Sequence, residues 1–139
     1  MKTLTFILVG TIVFSTACLA QDKEQKSTID AALEKCMDKN PSTHGTMSCI
    51  IEAQKQWDAE LNKHYKTLNL KLNPEQKAAL LNAQREWIKW RDLEFKSIDA
   101  LYSTLEGTMF QPMQLNSKME VVKQRALALK HYSELMEMN

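Results

Sequence analysis

Apolar and polar positions along this chain repeat at helical spacing almost from end to end. The most informative stripe runs through positions 80, 84, 87, 91, 95, 98, 102 and 105, which read Leu, Gln, Trp, Arg, Phe, Ile, Tyr and Leu. Steps of three and four residues place all eight on one helix face. Two strongly polar residues, Gln84 and Arg91, therefore flank Trp87 in an otherwise apolar stripe. Buried polar groups need partners, and the preceding segment offers a complementary set. Asp58, Leu61, Asn62 and Tyr65 share the i, i+3, i+4, i+7 spacing of Gln84, Trp87, Ile88 and Arg91. Folding the two segments antiparallel about Asn73-Pro74 predicts a hairpin pairing Asp58 with Arg91, Leu61 with Ile88, Asn62 with Trp87 and Tyr65 with Gln84.

The same pattern predicts three further helices. Ser27 can cap a short one whose apolar face is Ile29, Ala32, Leu33, Cys36 and Met37, ended by Asn40-Pro41. A long helix follows from about Thr46 to Leu72, with Met47, Ile50, Gln54, Trp57, Leu61, Tyr65, Leu68 and Leu72 along its stripe. Asn73 caps the third helix, with Pro74 at its first position and Glu75 in its first turn. That helix runs to about Leu105, and Gly107 supplies the left-handed residue after it. The fourth, from about Met113 to Met136, carries Leu115, Met119, Val122, Ala126, Leu129 and Tyr132 on one face. Three glycines and three prolines in 139 residues leave little material for a sheet with many turns. The expected fold is all-α: an elongated antiparallel bundle of three long helices plus a short N-terminal one. Residues 27–139 form its single domain, preceded by a polar lead-in at 21–26.

Residues 1–20 change the picture by placing the protein outside the cytoplasm. Lys2 precedes a short apolar run, Leu4 to Phe14, and Cys18-Leu19-Ala20 puts small residues at −3 and −1 of a cut after Ala20. This is the pattern of a signal peptide, and the run is too short to span a membrane. Ser15-Thr16-Ala17-Cys18 also resembles a lipobox, with Ser15 in the usual aliphatic place. A periplasmic protein and a lipoprotein anchored at Cys18 both remain open. Removing residues 1–20 takes Lys2 from 18 basic residues and nothing from 17 acidic ones, so the remainder is balanced. No basic patch points to nucleic acid, and only lipidation would tie the chain to a membrane. Cys36 and Cys49 then stand as an even pair in an exported protein, which predicts a disulfide. Closing such a loop stabilises by roughly 3 kcal/mol on the chain-entropy model. A metal site would need two more ligands, and His44 is the one candidate between the cysteines.

Side chains with chemical potential are sparse. His44, His64 and His131 are isolated, Glu60 and His64 lack the further carboxylates of a di-metal bundle, and no phosphate loop or nucleophile elbow is present. No catalytic group, metal or cofactor is expected. The ordered set Thr46-Met47-x-Cys49, Trp57-Asp58-x-x-Leu61-Asn62-x-x-Tyr65, Ala83-Gln84-x-x-Trp87-Ile88-x-x-Arg91-Asp92, Gly107-Thr108-Met109 and Gln124-Arg125-x-x-x-Leu129 resembles the LprI-like lysozyme inhibitor family of small bacterial envelope proteins. The likeness covers about Cys36 to Leu129. It departs at Phe95, where many members have a further cysteine. The resemblance implies export, a helical fold, and inhibition of a lysozyme. Trp57, Asp58, Asn62, Tyr65, Gln84, Trp87, Arg91 and Arg125 are the motif positions, read as structural.

Two functions fit the residues. As an inhibitor, the protein would present Ser42, Thr43 and His44 on a disulfide-braced loop to the paired carboxylates of a lysozyme cleft. Met109 and Phe110, in the turn before the fourth helix, form a second contact candidate at the same end of the rod. As a non-catalytic envelope protein, it would use the same loop only to cap a helix, through Thr43 or Thr46.

Overall fold

The computed structural model describes residues 27–138, which form α1 (Thr28–Lys39), α2 (Thr43–Lys71), α3 (Pro74–Tyr102) and α4 (Phe110–Leu135) with no strand among them. The expectations for residues 1–26, including the signal peptide, the lead-in and Cys18, lie outside the described residues. Each boundary has a local cause. Ser27 Oγ accepts the Asp30 N–H at 3.0 Å and starts α1. Ser42, rather than Thr43 or Thr46, caps α2 by accepting the Gly45 N–H at 3.0 Å. Asn73 opens α3 with a reciprocal capping box: its side chain accepts the Gln76 N–H at 2.9 Å, and Gln76 accepts the Asn73 N–H at 3.0 Å.

The turn from α1 to α2 is tight. A Cβ on Gly45 would sit 2.7 Å from both Cβ and the carbonyl oxygen of Asn40, so only glycine lets the two helices meet there. The Cys36–Cys49 disulfide crosses the same corner with its Cα atoms 5.8 Å apart. At the same end of the molecule Gly107, with φ of 108°, turns the chain from α3 into α4.

The core is built mainly between α2 and α4. These helices run parallel, because α3 carries the chain back between them. Lys71 Nζ meets Glu137 Oε1 66 residues further on, and the Lys123 ammonium lies 5.6 Å from the Trp57 ring centroid at the same offset. Ile50, Ala53, Trp57, Leu61 and Leu68 of α2 interlock with Met119, Val122, Ala126 and Leu129 of α4, all 3% exposed or less. Small residues at 53 and 126 bring the backbones close. Ser133, not the expected Tyr132, closes this seam: it is 5% exposed and accepts from Lys71 Nζ at 2.9 Å, whereas Tyr132 is 45% exposed. α1 lies antiparallel to α2, burying Ile29 and Leu33, and reaches α4 through Asp30 Oδ2 to Lys123 Nζ at 3.0 Å.

The expected hairpin of α2 with α3 does not form. Asp58 is exposed and accepts from Asn62 Nδ2 of its own helix, at 2.8 Å on its carbonyl and 3.3 Å on Oδ2. Arg91 bonds Asp92, Gln84 accepts from Arg125, and Ile88 is 40% exposed. The physical reason is that α2's apolar stripe finds an almost wholly apolar match in α4, with Ser133 the one polar side chain and that one satisfied by Lys71, while α3's stripe would have pressed Gln84 and Arg91 into it. Asp58 and Asn62 meet their hydrogen-bonding needs locally and in water. The predicted inward face of α3 is nevertheless the one observed. Leu80, Trp87 and Phe95 pack toward the core and Ile98 is buried, but the helix leans chiefly on α4.

Candidate functional site

The residues singled out as a polar loop belong to the start of α2. Ser42 is its cap, and Thr43 and His44 are its first two helical residues, so no projecting loop exists there. Thr43 is half-buried, Ser42 and His44 are exposed, and the His44 carbonyl accepts from Ser48 Oγ at 3.0 Å. Met109 is 64% exposed just before α4, while Phe110 is half-buried. Phe110 joins Tyr102, Leu105 and Gly107 around a shallow cavity of 370 Å³. Because α2 and α4 are parallel and offset by 66 residues, Thr43 lies level with Met109, and both turns stand at one end of the molecule.

That end has a distinct electrostatic character. The first turns of α2 and α4 contain no acidic residue, whereas α1 has Asp30 and α3 has Glu75 in theirs. Two helix N-termini therefore present unneutralised N–H dipoles side by side.

The motif positions divide between two places. Trp57 is buried in the α2–α4 seam, its Nε1 without a hydrogen-bond partner among the described residues. It borders a cavity of 550 Å³ that also takes in Glu60, His64 and Lys130. His64 Nε2 lies 3.1 Å from Glu60 Oε2. Burial pushes its imidazole below the usual value of 6.5, Glu60 pulls it back up, and Lys63 and Lys130 push it down again. Tyr65 is half-buried against the core, and Asp58 and Asn62 face water. Among the described residues no three His, Cys, Asp or Glu side chains come together to hold a metal ion.

Gln84, Trp87, Arg91 and Arg125 converge between α3 and α4 in a ladder of alternating cations and rings. The guanidinium of Arg125 lies 5.8 Å from the Trp87 ring, that of Arg91 5.5 Å from the same ring and 5.8 Å from Phe95, and the Lys118 ammonium 5.6 Å from Phe95. Arg125 Nε donates to Gln84 Oε1 at 3.0 Å. Lys118 bonds Asp99 at 2.5 Å, which holds that exposed carboxyl below its ordinary value. Tyr102 Oη and Ser117 Oγ lie 3.2 Å apart at the end of the row. Long polar side chains thus fill the space that small residues close on the other side of α4. The role of Lys118 was not expected from the sequence. Its seven-residue spacing from Arg125, facing the rings at 87 and 95, was the available signal.

The comparisons with known proteins agree with this architecture. No curated protein matches the chain. A crystal structure of an uncharacterised protein from Burkholderia thailandensis is similar, with a TM-score of 0.75 and 29% identity over 81% of this chain. The match spans 56% of that longer protein. The sequence model of the lysozyme inhibitor LprI matches residues 36–129, from the first cysteine of the disulfide to the last core leucine of α4. The chain belongs to the LprI lysozyme inhibitor family.

Proposed function

We propose that the protein is exported to the periplasm and there binds and inhibits a lysozyme-type glycoside hydrolase without itself catalysing a reaction. Family membership over residues 36–129 carries this reading. The contact surface we assign is the bundle end made by Ser42, Thr43, His44, Met109 and Phe110. Three features favour it. The disulfide braces the corner behind Ser42, which lowers the entropy cost of binding. Met109 is an exposed apolar side chain beside polar ones. The two helix N-termini without acidic first turns complement the pair of carboxylates with which glycosidases work. Export follows from the leader at residues 1–20, with attachment at Cys18 as the alternative route.

A second reading, an envelope protein with a structural or other binding role, draws on one observation. Ser42 Oγ is already engaged with the Gly45 N–H, as a helix cap requires. A lysozyme activity assay with added purified protein separates the two readings. Inhibition that falls at least about tenfold, or 1.4 kcal/mol, when Thr43, His44 and Met109 become Ala supports this surface. Inhibition unchanged by those substitutions rejects the surface, and no inhibition of any lysozyme tested rejects the function.

A further inference from the structure

The outer side of the α3–α4 contact forms a second, separate concavity. Trp87 and Trp90 of α3 face Val121, Gln124, Arg125 and Ala128 of α4 across a shallow groove of 410 Å³, within the size range of small-ligand sites. Trp90 is 50% exposed, and the floor between it and α4 is hydrocarbon from Val121 and Ala128. Of the three cations in the ladder, Arg91 has Asp92 at 2.6 Å and Lys118 has Asp99 at 2.5 Å. Arg125 has only a neutral amide oxygen, taken through Nε. Its terminal nitrogens have no acceptor among the described residues. Glu120, also at the groove, lies 3.6 Å from Lys123 of its own helix. Burial pulls the Arg125 guanidinium below its ordinary value, in keeping with a charge that has lost water without gaining a counter-ion.

We propose that this groove binds a small organic acid, its apolar ring lying on Trp90, Val121 and Ala128 and its carboxylate accepting from the terminal nitrogens of Arg125. A guanidinium presents two parallel donors to a carboxylate, and that pairing supplies the missing counter-ion. The body of the ligand is a ring of low polarity and not a sugar. Hydroxyls laid against Val121 and Ala128 would lose water, with Ser117 and Gln124 the neutral polar side chains of the lining left to replace it. An indole half in water gives such a ring an offset or edge-on partner. The site stands apart from the bundle end assigned to the hydrolase, so either assignment can fail alone.

Phenylacetate is the probe, titrated into isotope-labelled protein while the indole N–H resonances of Trp87 and Trp90 are followed by NMR. Saturable shifts centred on Trp90, Val121 and Ala128, with Kd of about 1 mM, are expected for so small a ligand. Phenylacetamide, which keeps the ring and lacks the charge, and acetate, which keeps the charge and lacks the ring, should each bind at least about tenfold more weakly. Arg125→Gln should lose the preference for the acid over the amide. Arg125 also supports Gln84 and Trp87, so Trp90→Ala serves as the second variant. Its side chain is half in water, and it should fold normally while weakening phenylacetate. No saturable shift up to about 10 mM, equal binding of acid and amide, or unaltered binding by folded Trp90→Ala would each overturn the proposal.

Discussion

Leu129→Ala is the most direct test of a fold whose core is the parallel α2–α4 seam. Leu129 has no exposed surface, and Met119, Val122 and Ala126 on the same face of α4 are each 3% exposed or less. Truncation at such a site removes transfer energy and leaves a cavity that rigid neighbours cannot fill, costing about 2–5 kcal/mol. At about 4–8 °C per kcal/mol for a domain near this size, the melting temperature should fall by at least about 8 °C. Asp58→Ala, made alongside, separates this frame from the α2–α3 hairpin suggested by the complementary stripes. In the hairpin, Asp58 would leave Arg91 buried without a partner at a cost of about 3–5 kcal/mol. In the observed fold it faces water and, among the described residues, bonds only Asn62, so the change should stay within about 0.5 kcal/mol. Thermal unfolding by circular dichroism reads both. A large loss from Asp58→Ala, or less than about 1 kcal/mol from Leu129→Ala, refutes the parallel seam as the source of stability.

Reducing Cys36–Cys49 should lower stability by roughly 3 kcal/mol while leaving the helices formed, because neither long seam depends on that corner. Thiol counting under denaturing, non-reducing conditions should find no free thiol from this pair. Lys71→Met should destabilise by about 1–3 kcal/mol, since Ser133 is 5% exposed and takes its hydroxyl and carbonyl bonds from Lys71 Nζ. A change near zero in urea unfolding would mean that water replaces Lys71 there. His64 predicts a pH effect. Its folded pKa is lowered from 6.5 by burial, so its contribution is full above pH 6.5 and is lost as pH falls through the folded value. His64→Gln should remove that part of the acid-side loss in unfolding curves measured on either side of pH 6.5.

Helix number, stripe composition and the cap at Asn73 were legible because each depends on residues close in sequence. So was the shared end of the molecule at which residues 42–44 and 107–110 stand, since two long helices of similar length must return the chain. Partner choice was not legible. Asp58, Asn62, Gln84 and Arg91 fit a cross-helix pattern on paper, yet an exposed Asp–Asn pair four apart satisfies itself at no cost in burial. Apolar stripes decide the neighbours, and α2 and α4 had the two cleanest. The start of α2 was misread by three residues because Thr43, Thr46 and Ser42 are all competent caps. Gly45 decides among them, since its close approach to Asn40 requires the helix to begin ahead of it. The α3–α4 ladder stayed hidden for a related reason. Lys118 and Arg125 look like ordinary solvated cations until two aromatic rings are known to lie opposite them.

The parallel seam also bears on how the chain reaches its native state. Its two faces are about 66 residues apart, so the strongest core contacts cannot form until the whole of α3 has been looped out between them. Local closure of α1 on α2, needing only a short turn and finally the disulfide, can precede it. Non-local closure slows folding relative to a bundle of sequential hairpins. Once the seam is made, α3 is held by long side chains and one buried residue, Ile98. Its amides should therefore exchange with solvent through openings that leave α2 and α4 intact, making the connecting helix the least durable part of the rod.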